Sequence, residues 1–197
     1  MKPFSESSAE NQEPILAILR QTFDAVRQVL EIGSGTGQHA VHFARHLPHL
    51  SWQSSELAPN LPGVRLWLEE AALPNTPPPL ELDINRQPWP VVPVDGVFTA
   101  NTLHIVSWPE VERLLQGAGQ VLLPGGVLCI YGPFNYGGAF TAPSNARFDA
   151  WLKARDPASG IRDAEAVCAL AERQGLRLEA DHAMPVNNRT LVLRKQG

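Results

Sequence analysis

A glycine loop directly after a short apolar segment is the feature that most constrains how this chain folds. The segment QVLEI at 28–32 predicts a buried strand because it is a short, mainly apolar run. It is followed at once by GSGTG, in which Gly33, Gly35 and Gly37 let the backbone turn tightly and lie close to a ligand. Apolar residues then recur with helical spacing over 40–47. This order predicts the ligand-binding edge of an α/β sheet.

The alternation of strand and helix patterns continues to the C-terminus. Strands are predicted at 28–32, 50–56, 80–84, 95–101, 127–131, 176–184 and 189–195. Helices are predicted at 13–23 with Pro14 in the first turn, at 61–72, 107–121, 144–154 and 163–174, and directly after the glycine loop. This order favours a mostly parallel seven-stranded sheet with helices on both faces. Because only the turn PVNN joins the last two strands, they are expected to pair antiparallel.

The predicted topology is Rossmann-like, and its ending separates two classes of enzyme. Five strand–helix units that end in an antiparallel hairpin are expected of a class I methyltransferase, whereas a dinucleotide dehydrogenase more often continues with parallel strands. The length of 197 residues predicts a single domain over 1–197.

Three acidic residues lie near the ends of the first three predicted strands. Glu31 begins the pattern E-x-G-x-G-x-G, Glu56 ends the second strand, and Asp83 lies near the end of the third. In open α/β sheets ligands bind at the carboxyl ends of the strands. Each acid alone is also explained as a solvated loop residue or a helix cap, but three in this arrangement favour a cofactor site.

The three acids suit S-adenosylmethionine. Glu31 is expected to face the amino group of its methionine part, and Glu56 to accept hydrogen bonds from the ribose hydroxyls. Asp83 is expected to accept the adenine amine, with Ile84 beside the ring. The complete set of predicted cofactor-binding residues is Glu31, Gly33, Ser34, Gly35, Gly37, Glu56, Asp83, Ile84 and Asn101.

A nicotinamide cofactor is the main alternative ligand for this loop. It shares the ribose carboxylate, so Glu56 does not discriminate between the two cofactors. The nicotinamide pattern G-x-G-x-x-G is not met because position 38 is Gln, and no Lys-Ser/Thr follows that would make a phosphate-binding P-loop. Glu31, Gln38 and the terminal hairpin therefore favour S-adenosylmethionine.

Several longer motifs carry a resemblance to a known family. GSGTGQH, TANTLHIVSW, LPGGVLCIYGPF, SNARFD, DPASGIRD and MPVNNRTLVLR resemble those of an uncharacterised family of methyltransferase-like proteins from bacteria and animals, catalogued as a domain of unknown function. The resemblance runs from SAENQEPIL to the final strand, nearly the whole chain. It implies the class I methyltransferase fold and an S-adenosylmethionine site, and it names no substrate.

The loop, its acids and the resemblance together predict S-adenosylmethionine-dependent methyl transfer to a small molecule. Such transfer depends mainly on holding the acceptor close and aligned, and a base is needed only where the acceptor loses a proton. Two alternatives remain open. One is a catalytically inactive S-adenosylmethionine-binding or scaffold module, and the other is a NAD-dependent oxidoreductase.

The segment after the fourth strand holds the candidate catalytic residues. Asn101 ends the strand where the cofactor and the acceptor would meet, and His104 has an ordinary pKa suited to proton removal near neutral pH. A structural, hydrogen-bonded His104 fits the pattern equally well. Trp108 is a candidate wall of the acceptor pocket, and a place in the core is the alternative.

A second candidate acceptor region follows the fifth strand. Tyr131, Phe134 and Tyr136 lead into two glycines, which is typical of a lid over a small acceptor. Arg162 would suit an anionic acceptor because guanidinium groups bind carboxylates in a bidentate manner. The alternative for Arg162 is a structural ion pair with a nearby aspartate.

Three histidines follow the glycine loop with helical spacing. His39, His42 and His46 fall at positions that can place metal ligands on one helix face. That face is predicted to lean away from the apolar stripe towards solvent, and no acid or cysteine pattern accompanies it, so no metal site is predicted. His39 lies in the first turn of the helix and is a candidate neighbour of the cofactor.

Composition narrows the expected partners. The net charge is −4, and the sequence has no basic run, so no nucleic-acid partner is expected. Neither a membrane-spanning stretch nor a signal peptide is evident, which predicts a cytoplasmic protein without a membrane partner. Cys129 and Cys168 lie in apolar segments and are interpreted as reduced core thiols. The oligomeric state stays open.

Overall fold

A mostly parallel sheet of eight strands forms the centre of the molecule in the computed structural model, which describes residues 2–197. The strands are β1 (Gln28–Ile32), β2 (Ser51–Glu56), β3 (Leu80–Glu81), β4 (Val94–Ala100), β5 (Leu122–Asn135), β6 (Arg162–Asp163), β7 (Leu176–Met184) and β8 (Asn188–Lys195). The helices are α1 (Glu6–Thr22), α2 (Gln38–His46), α3 (Leu61–Ala71), α4 (Trp108–Val121), α5 (Pro143–Arg155) and α6 (Ala164–Arg173).

The order of the strands places a crevice beside β1. The order is β3-β2-β1-β4-β5-β8-β7, and β1 pairs in parallel with both β2 and β4. The chain therefore changes direction across the sheet between β1 and β4, which is where ligands bind in open α/β sheets. β8 pairs antiparallel with β5 and with β7, so the predicted α/β fold and its closing hairpin are confirmed. The two-residue β6 pairs only with the end of β5 and was not predicted, because so short a segment has no periodicity.

Two apolar clusters cover the two faces of the sheet. Along β5 the side chains alternate between them, since successive residues of a strand point to opposite faces. Leu128 belongs to the cluster that includes buried residues of α4 and α6. Cys129 belongs to the other cluster, which includes buried residues of α1, α2 and α3. Cys129 is fully buried, as predicted, whereas Cys168 is only partly buried.

Helix α1 begins earlier than the sequence pattern indicates. It starts at Glu6, and the Ser5 side chain caps it by accepting a hydrogen bond from the Ser8 amide at 3.2 Å. Pro14 thus lies inside the helix and not in its first turn, so that expectation was wrong. The apolar periodicity begins only at Ile15, which is why the first turns were missed. The extra turns bring the start of α1 to the edge of the sheet.

The third and fifth strands also differ from their predicted lengths. β3 ends at Glu81 because Asp83 starts a turn, in which its carboxylate accepts a hydrogen bond from the Asn85 amide at 2.9 Å. β5 begins at Leu122 and takes up the LPGG segment, where its pairing with β4 is irregular. Because glycine and proline signal a turn, the sequence placed this segment outside the strand.

None of the helices among residues 2–197 is both long enough and apolar enough to cross a membrane.

The turn between β7 and β8 contains a strained residue. Val186 has a φ of +59° and is 78% exposed. A branched Cβ disfavours this left-handed conformation, which costs on the order of 1–3 kcal/mol. The surrounding hairpin must supply that free energy.

Replacing Val186 with glycine should therefore stabilise the chain. We expect Val186→Gly to raise the free energy of unfolding by about 1 kcal/mol, since the relief of strain exceeds the entropic cost of a glycine. Val92 is the matched control, because it is 71% exposed in a loop and its φ is not positive. Val92→Gly should lower the free energy of unfolding by up to about 1 kcal/mol. Urea denaturation measures both, and equal losses in the two variants would contradict strain at Val186.

Candidate active site

A cavity of 780 Å³ lies at the carboxyl ends of β1, β2 and β4. This volume is typical of sites for small ligands. The first cavity, as it is called below, is bordered by the glycine loop, by the start of α1 and by the segment after β4. Its lining includes five of the nine predicted cofactor-binding residues, namely Gly33, Ser34, Gly35, Glu56 and Asn101.

The glycine loop needs its glycines for different reasons. Gly33 has a φ of +71°, and a Cβ there would lie 2.9 Å from the Thr102 hydroxyl oxygen. Gly35 has a φ of +57° and open space around it. Gly37 does not line the first cavity; a Cβ there would lie 3.2 Å from Trp67 Cβ, so it lets α2 and α3 pack closely. Backbone at Gly35 therefore borders the cavity without a side chain.

Glu56 ties the loop to β2 and borders the first cavity. Its Oε2 accepts a hydrogen bond from the Gly35 amide at 2.8 Å. Its Oε1 accepts one from the Leu57 amide at 2.8 Å and one from Asn60 Nδ2 at 3.2 Å. An ionised carboxylate has about four acceptor positions, so three are used within the protein. One position is left for a hydroxyl group in the cavity.

Glu31 is buried beneath the loop. It is 2% exposed, and it accepts hydrogen bonds from Ser34 Oγ at 2.8 Å and from Trp52 Nε1 at 3.1 Å. Burial raises its pKa from 4.5 to about 7, although the hydrogen bonds from Trp52 and Ser34 oppose this. Glu31 does not line the first cavity, so the expected direct contact with a ligand's amino group is not made in this geometry.

Asp83 and Ile84 also lie outside the lining of the first cavity. The Asp83 carboxylate closes its own turn and lies 3.4 Å from Arg86 Nε. Ile84 packs against the apolar cluster on the α4 side of the sheet. The chain at Leu82 is still hydrogen-bonded to the Glu56 carbonyl at 3.0 Å, so Asp83 follows β2 closely in space although it does not line the first cavity.

A second cavity of 500 Å³ adjoins the first. The two share Ser7, Asn101 and Ile105 in their linings. The second cavity also contains two residues that the sequence had selected, His104 and Tyr131. A molecule in one cavity would therefore lie directly beside a molecule in the other.

The two candidate catalytic residues meet at this boundary. A Cβ on Gly132 would lie 3.6 Å from His104 Nδ1 and 3.9 Å from Asn101 Oδ1, so both polar atoms lie over the same glycine of β5. Asn101 has a φ of +57°, and its amide donates to the Tyr131 carbonyl at 2.9 Å. Asparagine tolerates this conformation, which is enriched at functional sites.

His104 is uncharged at neutral pH in this environment. Its side chain is 5% exposed, and its ring makes an edge contact with Phe148, with 5.3 Å between the ring centroids. Burial, and then the positive charge of Arg162, lower the pKa of His104 to about 4. The imidazole therefore has a free lone pair at physiological pH, but it is a weaker base than the ordinary imidazole that the sequence suggested.

Side-chain hydrogen bonds also link α1 to α2 and β8 to β5, the first of them buried. Asn11 Oδ1 lies 2.7 Å from His39 Nε2, and Asn188 Nδ2 donates to the Tyr131 hydroxyl oxygen at 2.9 Å. Asn11, Tyr131 and Asn188 line the second cavity, whereas His39 lines the first. Burial raises the pKa of Tyr131, so its hydroxyl stays protonated.

The histidine face of α2 is not uniformly solvent-exposed, so that expectation was wrong for His39. His39 is 7% exposed, and burial, followed by the nearby His42, lowers its pKa to about 4. His42 lies 3.2 Å from Glu13, and His46 is exposed. Among residues 2–197 there is no group of three or more histidines, cysteines and acids that could hold a metal ion.

Three predicted acceptor residues lie elsewhere. Trp108, the first residue of α4, packs against the core, and Phe134 is 1% exposed within the same cluster. The Tyr136 hydroxyl donates to Asp181 Oδ2 at 2.6 Å. The Gly138 amide binds Asp163 Oδ2 at 2.7 Å, which fixes the glycine turn against the start of α6. Because β5 extends to Asn135 and the glycine turn is hydrogen-bonded to Asp163, this geometry does not favour the predicted lid.

Arg162 donates hydrogen bonds to backbone carbonyls. Its Nε donates to the Leu103 carbonyl at 2.9 Å, and one terminal nitrogen donates to the carbonyls of Val106 and Ala158. These bonds fix the segment that carries His104. Arg162 lines neither cavity, so the predicted contact with an anionic acceptor is not supported.

The start of the chain contributes a wall that the sequence did not reveal. The Ser5 amide donates to Gln38 Oε1 at 2.6 Å, and Trp67 Nε1 donates to the Pro3 carbonyl at 2.7 Å. These bonds hold the segment before α1 against α2 and α3, and Ser7 then lines both cavities. The serine run SESS, whose first serine caps α1, is the signal that could have revealed an earlier helix start.

A family comparison decides the relationship of the whole chain. The sequence pattern that matches residues 2–195 is that of a family described as "Protein of unknown function (DUF938)". The chain belongs to this family. The predicted resemblance is thereby confirmed, since this DUF938 protein matches the family over nearly its full length.

Solved structures with a similar fold are methyltransferases by description. An O-methyltransferase family protein from Burkholderia thailandensis is 16% identical with a TM-score of 0.83, covering 98% of this chain and 58% of its own. The mitomycin 7-O-methyltransferase MmcR is 20% identical with a TM-score of 0.83, covering 96% and 54%. Human N-acetylserotonin methyltransferase, in complex with SAM, is 15% identical with a TM-score of 0.78, covering 98% and 53%. The DUF938 chain thus spans little more than half of their lengths, and the likeness confirms the class I methyltransferase fold.

The buried Glu31 makes stability depend on pH in a defined direction. Its folded-state pKa is raised to about 7 from 4.5, so the folded chain holds a proton that the unfolded chain has lost. Stability from this group is therefore present below pH about 4.5 and lost as the pH rises to about 7. Glu31→Gln removes the titration and keeps an acceptor oxygen. We expect its free energy of unfolding, relative to the original chain, to increase by about 1–3 kcal/mol from pH about 5 to pH about 8.

Urea denaturation of Glu31→Gln and of a control variant at the two pH values provides the measurement. Glu110 is the control, because hydrogen bonds from Asn85 and then Ser107 hold its pKa below the usual range. The stability lost in Glu110→Gln should therefore stay constant in this window and change only at lower pH. If the difference in free energy of unfolding between Glu31→Gln and the original chain were also the same at both pH values, Glu31 would be shown to ionise normally.

Proposed function

We propose that this DUF938 protein is an S-adenosylmethionine-dependent methyltransferase that acts on a small molecule. The observation that carries the proposal is the pair of adjoining cavities at the carboxyl edge of β1 and β4, which share Asn101. A transferase needs two such compartments, because cofactor and acceptor must meet without displacing each other. S-adenosylmethionine would supply a methyl group on a positively charged sulfur, whose carbon a nucleophile can attack with S-adenosylhomocysteine as the leaving group.

The first cavity fits the cofactor by the chemistry of its lining. Glu56 has an acceptor position for ribose hydroxyls, and Gly35 lets backbone approach the ligand. Among the described residues that line this cavity there is no lysine or arginine. A dinucleotide would bring a negatively charged pyrophosphate into a cavity in which Glu56 is the only formally charged residue of the described lining, and Glu56 would repel it. This argues against a nicotinamide cofactor and suits the positively charged sulfonium.

The second cavity would hold the methyl acceptor. His104 is uncharged and can take the proton of a hydroxyl group as the new bond forms. Asn101 lies beside it and can orient the same group through its amide. The Tyr131 hydroxyl, which accepts a hydrogen bond from Asn188, can donate to an acceptor oxygen. These residues would bind and orient the acceptor, and Ser7 at the start of α1 borders both cavities.

Cofactor binding should depend on Glu56 far more than on Asp83. We expect Glu56→Gln to weaken the binding of S-adenosylhomocysteine by at least about tenfold, because it removes a charge-assisted acceptor and loosens the loop at Gly35. Asp83→Asn is the matched control, since Asp83 does not line the first cavity, and it should change the affinity by less than about threefold. Isothermal titration measures both variants. The absence of S-adenosylhomocysteine binding to the unmodified chain would refute the proposed function.

His104 should matter for transfer and not for cofactor binding. We expect His104→Gln to bind S-adenosylhomocysteine normally and to lower methyl transfer to a hydroxyl by about 10²–10⁴. The assay follows labelled methyl groups from S-adenosylmethionine into a small-molecule extract. His46→Gln is the control, because His46 is exposed and outside both linings. Undiminished transfer in His104→Gln would refute a base at this position, and no transfer by any form would favour an inactive binding module.

A further inference from the structure

Exposed apolar side chains gather at the second cavity. Ile105 is 51% exposed, Trp151 is 50% exposed and Val186 is 78% exposed, and all three line this cavity. A large aromatic side chain left half exposed forgoes part of the stabilisation that full burial would give. Val186 also sits in a strained conformation with a φ of +59°. The cavity therefore offers an apolar surface that the fold itself does not use.

A row of aromatic rings forms one wall of the second cavity. The Phe148 ring contacts the edge of His104 and stacks on Trp151, with 5.8 Å between centroids and 17° between the planes. Phe148 and Trp151 lie on α5, which keeps the wall on a regular element. Flat rings that present faces and edges favour a flat ligand, because offset-stacked and edge contacts between aromatic rings are favourable beyond the area they bury.

Apart from Glu10, the polar groups in this cavity are uncharged donors and acceptors. Asn101, Asn145 and Asn188 contribute amides, and Tyr131 contributes its hydroxyl. Amide and hydroxyl groups bind hydroxyl or amine groups of a ligand through ordinary hydrogen bonds. They leave a carboxylate or a phosphate without a counter-ion, which makes its burial costly.

The charges around the second cavity oppose an anion. Among the described residues that line this cavity, Glu10 is the only Asp, Glu, Lys or Arg. Arg162 is bound to backbone carbonyls and lies outside the lining. Arg155 places its guanidinium over the Trp151 ring, 4.6 Å from the centroid, also outside the lining. Electrostatics thus favour a neutral or cationic ligand.

We propose that the second cavity binds a planar aromatic compound that carries a hydroxyl or an amine and no anionic group. Stacked rings recognise its plane, neutral amides and the Tyr131 hydroxyl recognise its polar group, and Glu10 repels an anion. As the identity of the methyl acceptor, this inference rests on the proposed function. As a statement about binding, it can be measured without any transfer.

Three probes with one ring separate the charge classes. Tyramine is cationic, 4-ethylphenol is neutral and 4-hydroxyphenylacetate is anionic, and all carry the same phenol. Isothermal titration into the full chain with S-adenosylhomocysteine present should show tyramine and 4-ethylphenol binding at least about fivefold more tightly than the anion. Equal or tighter binding of 4-hydroxyphenylacetate overturns the proposal, and so does a lack of saturable binding by all three at millimolar concentration.

Paired variants test whether the probes occupy this cavity. Trp151→Ser should weaken 4-ethylphenol binding by about threefold to tenfold through the loss of an aromatic face. Leu123→Ser should leave it unchanged, because Leu123 is 44% exposed and lines neither cavity. Equal effects of the two variants would overturn the assignment of the probes to the second cavity.

Charge variants test the reason for the selectivity. Glu10→Gln should lower the preference for tyramine over 4-ethylphenol by about twofold to fivefold, whereas Glu112→Gln, exposed on α4, should not. Ser144→Lys places a cation in the lining. It should raise the affinity for 4-hydroxyphenylacetate to near or above the affinity for 4-ethylphenol. Ala150→Lys, exposed on the same helix and outside the lining, is its control. Selectivity that is unchanged in both Glu10→Gln and Ser144→Lys overturns the electrostatic argument.

Two further outcomes separate this inference from the proposed function. Phenol binding in a protein that does not bind S-adenosylhomocysteine refutes the proposed function and keeps the ligand class. S-adenosylhomocysteine binding without phenol binding refutes the ligand class alone. Dimerisation that Trp151→Ser abolishes in sedimentation velocity, together with no phenol binding, would assign the apolar side chains to a second copy of the chain and overturn the proposal.

Discussion

The hydrogen bonds that tie the glycine loop to β2 determine the shape of the whole site. The Ser34 amide donates to the Ser55 carbonyl at 3.0 Å, and the Gly35 amide donates to Glu56. With these bonds the loop continues the pairing of β1 and β2 beyond the last residue of the strand. The first cavity is the space between that tied loop, the start of α1 and the segment after β4. Without this closure, Glu56 and Asn101 would not border one volume.

The order of the elements could be predicted from the sequence because each buried strand is a short run of mainly apolar residues. An apolar run followed by glycines is enough to place β1, its loop and the start of α2. Long-range packing is much harder to infer from a local sequence pattern. The extension of β5 beyond Tyr131 buries Phe134. A local pattern of aromatic residues and glycines fits such a buried strand and a mobile lid equally well. Arg162 likewise bonds to carbonyls about sixty residues earlier, which spacing alone does not encode.

The acids show which part of the site could be inferred. Glu31 alternates with Leu30 and Ile32, so strand periodicity places it on the face of Val29, the same face as Trp52; because both faces of β1 are buried, periodicity alone does not reveal that it lies beneath the loop. The prediction for Asp83 depended on where the edge strand β3 ends, and residue propensities define the ends of edge strands poorly. Glu56 was located well because a second strand of six residues ends there. The second cavity was only partly foreseen, since α1, α5 and the last hairpin meet there from distant parts of the chain.

The position of β8 has a consequence for synthesis. This strand comes after the other seven along the chain, yet it lies between β5 and β7 in the finished sheet. Until residues 188–195 leave the ribosome, one edge of the long, apolar β5 has no partner in the sheet. Unpaired edges of this kind recruit other chains. A nascent or C-terminally shortened chain is thus most prone to aggregate at β5, the strand that contributes to the lining of the second cavity.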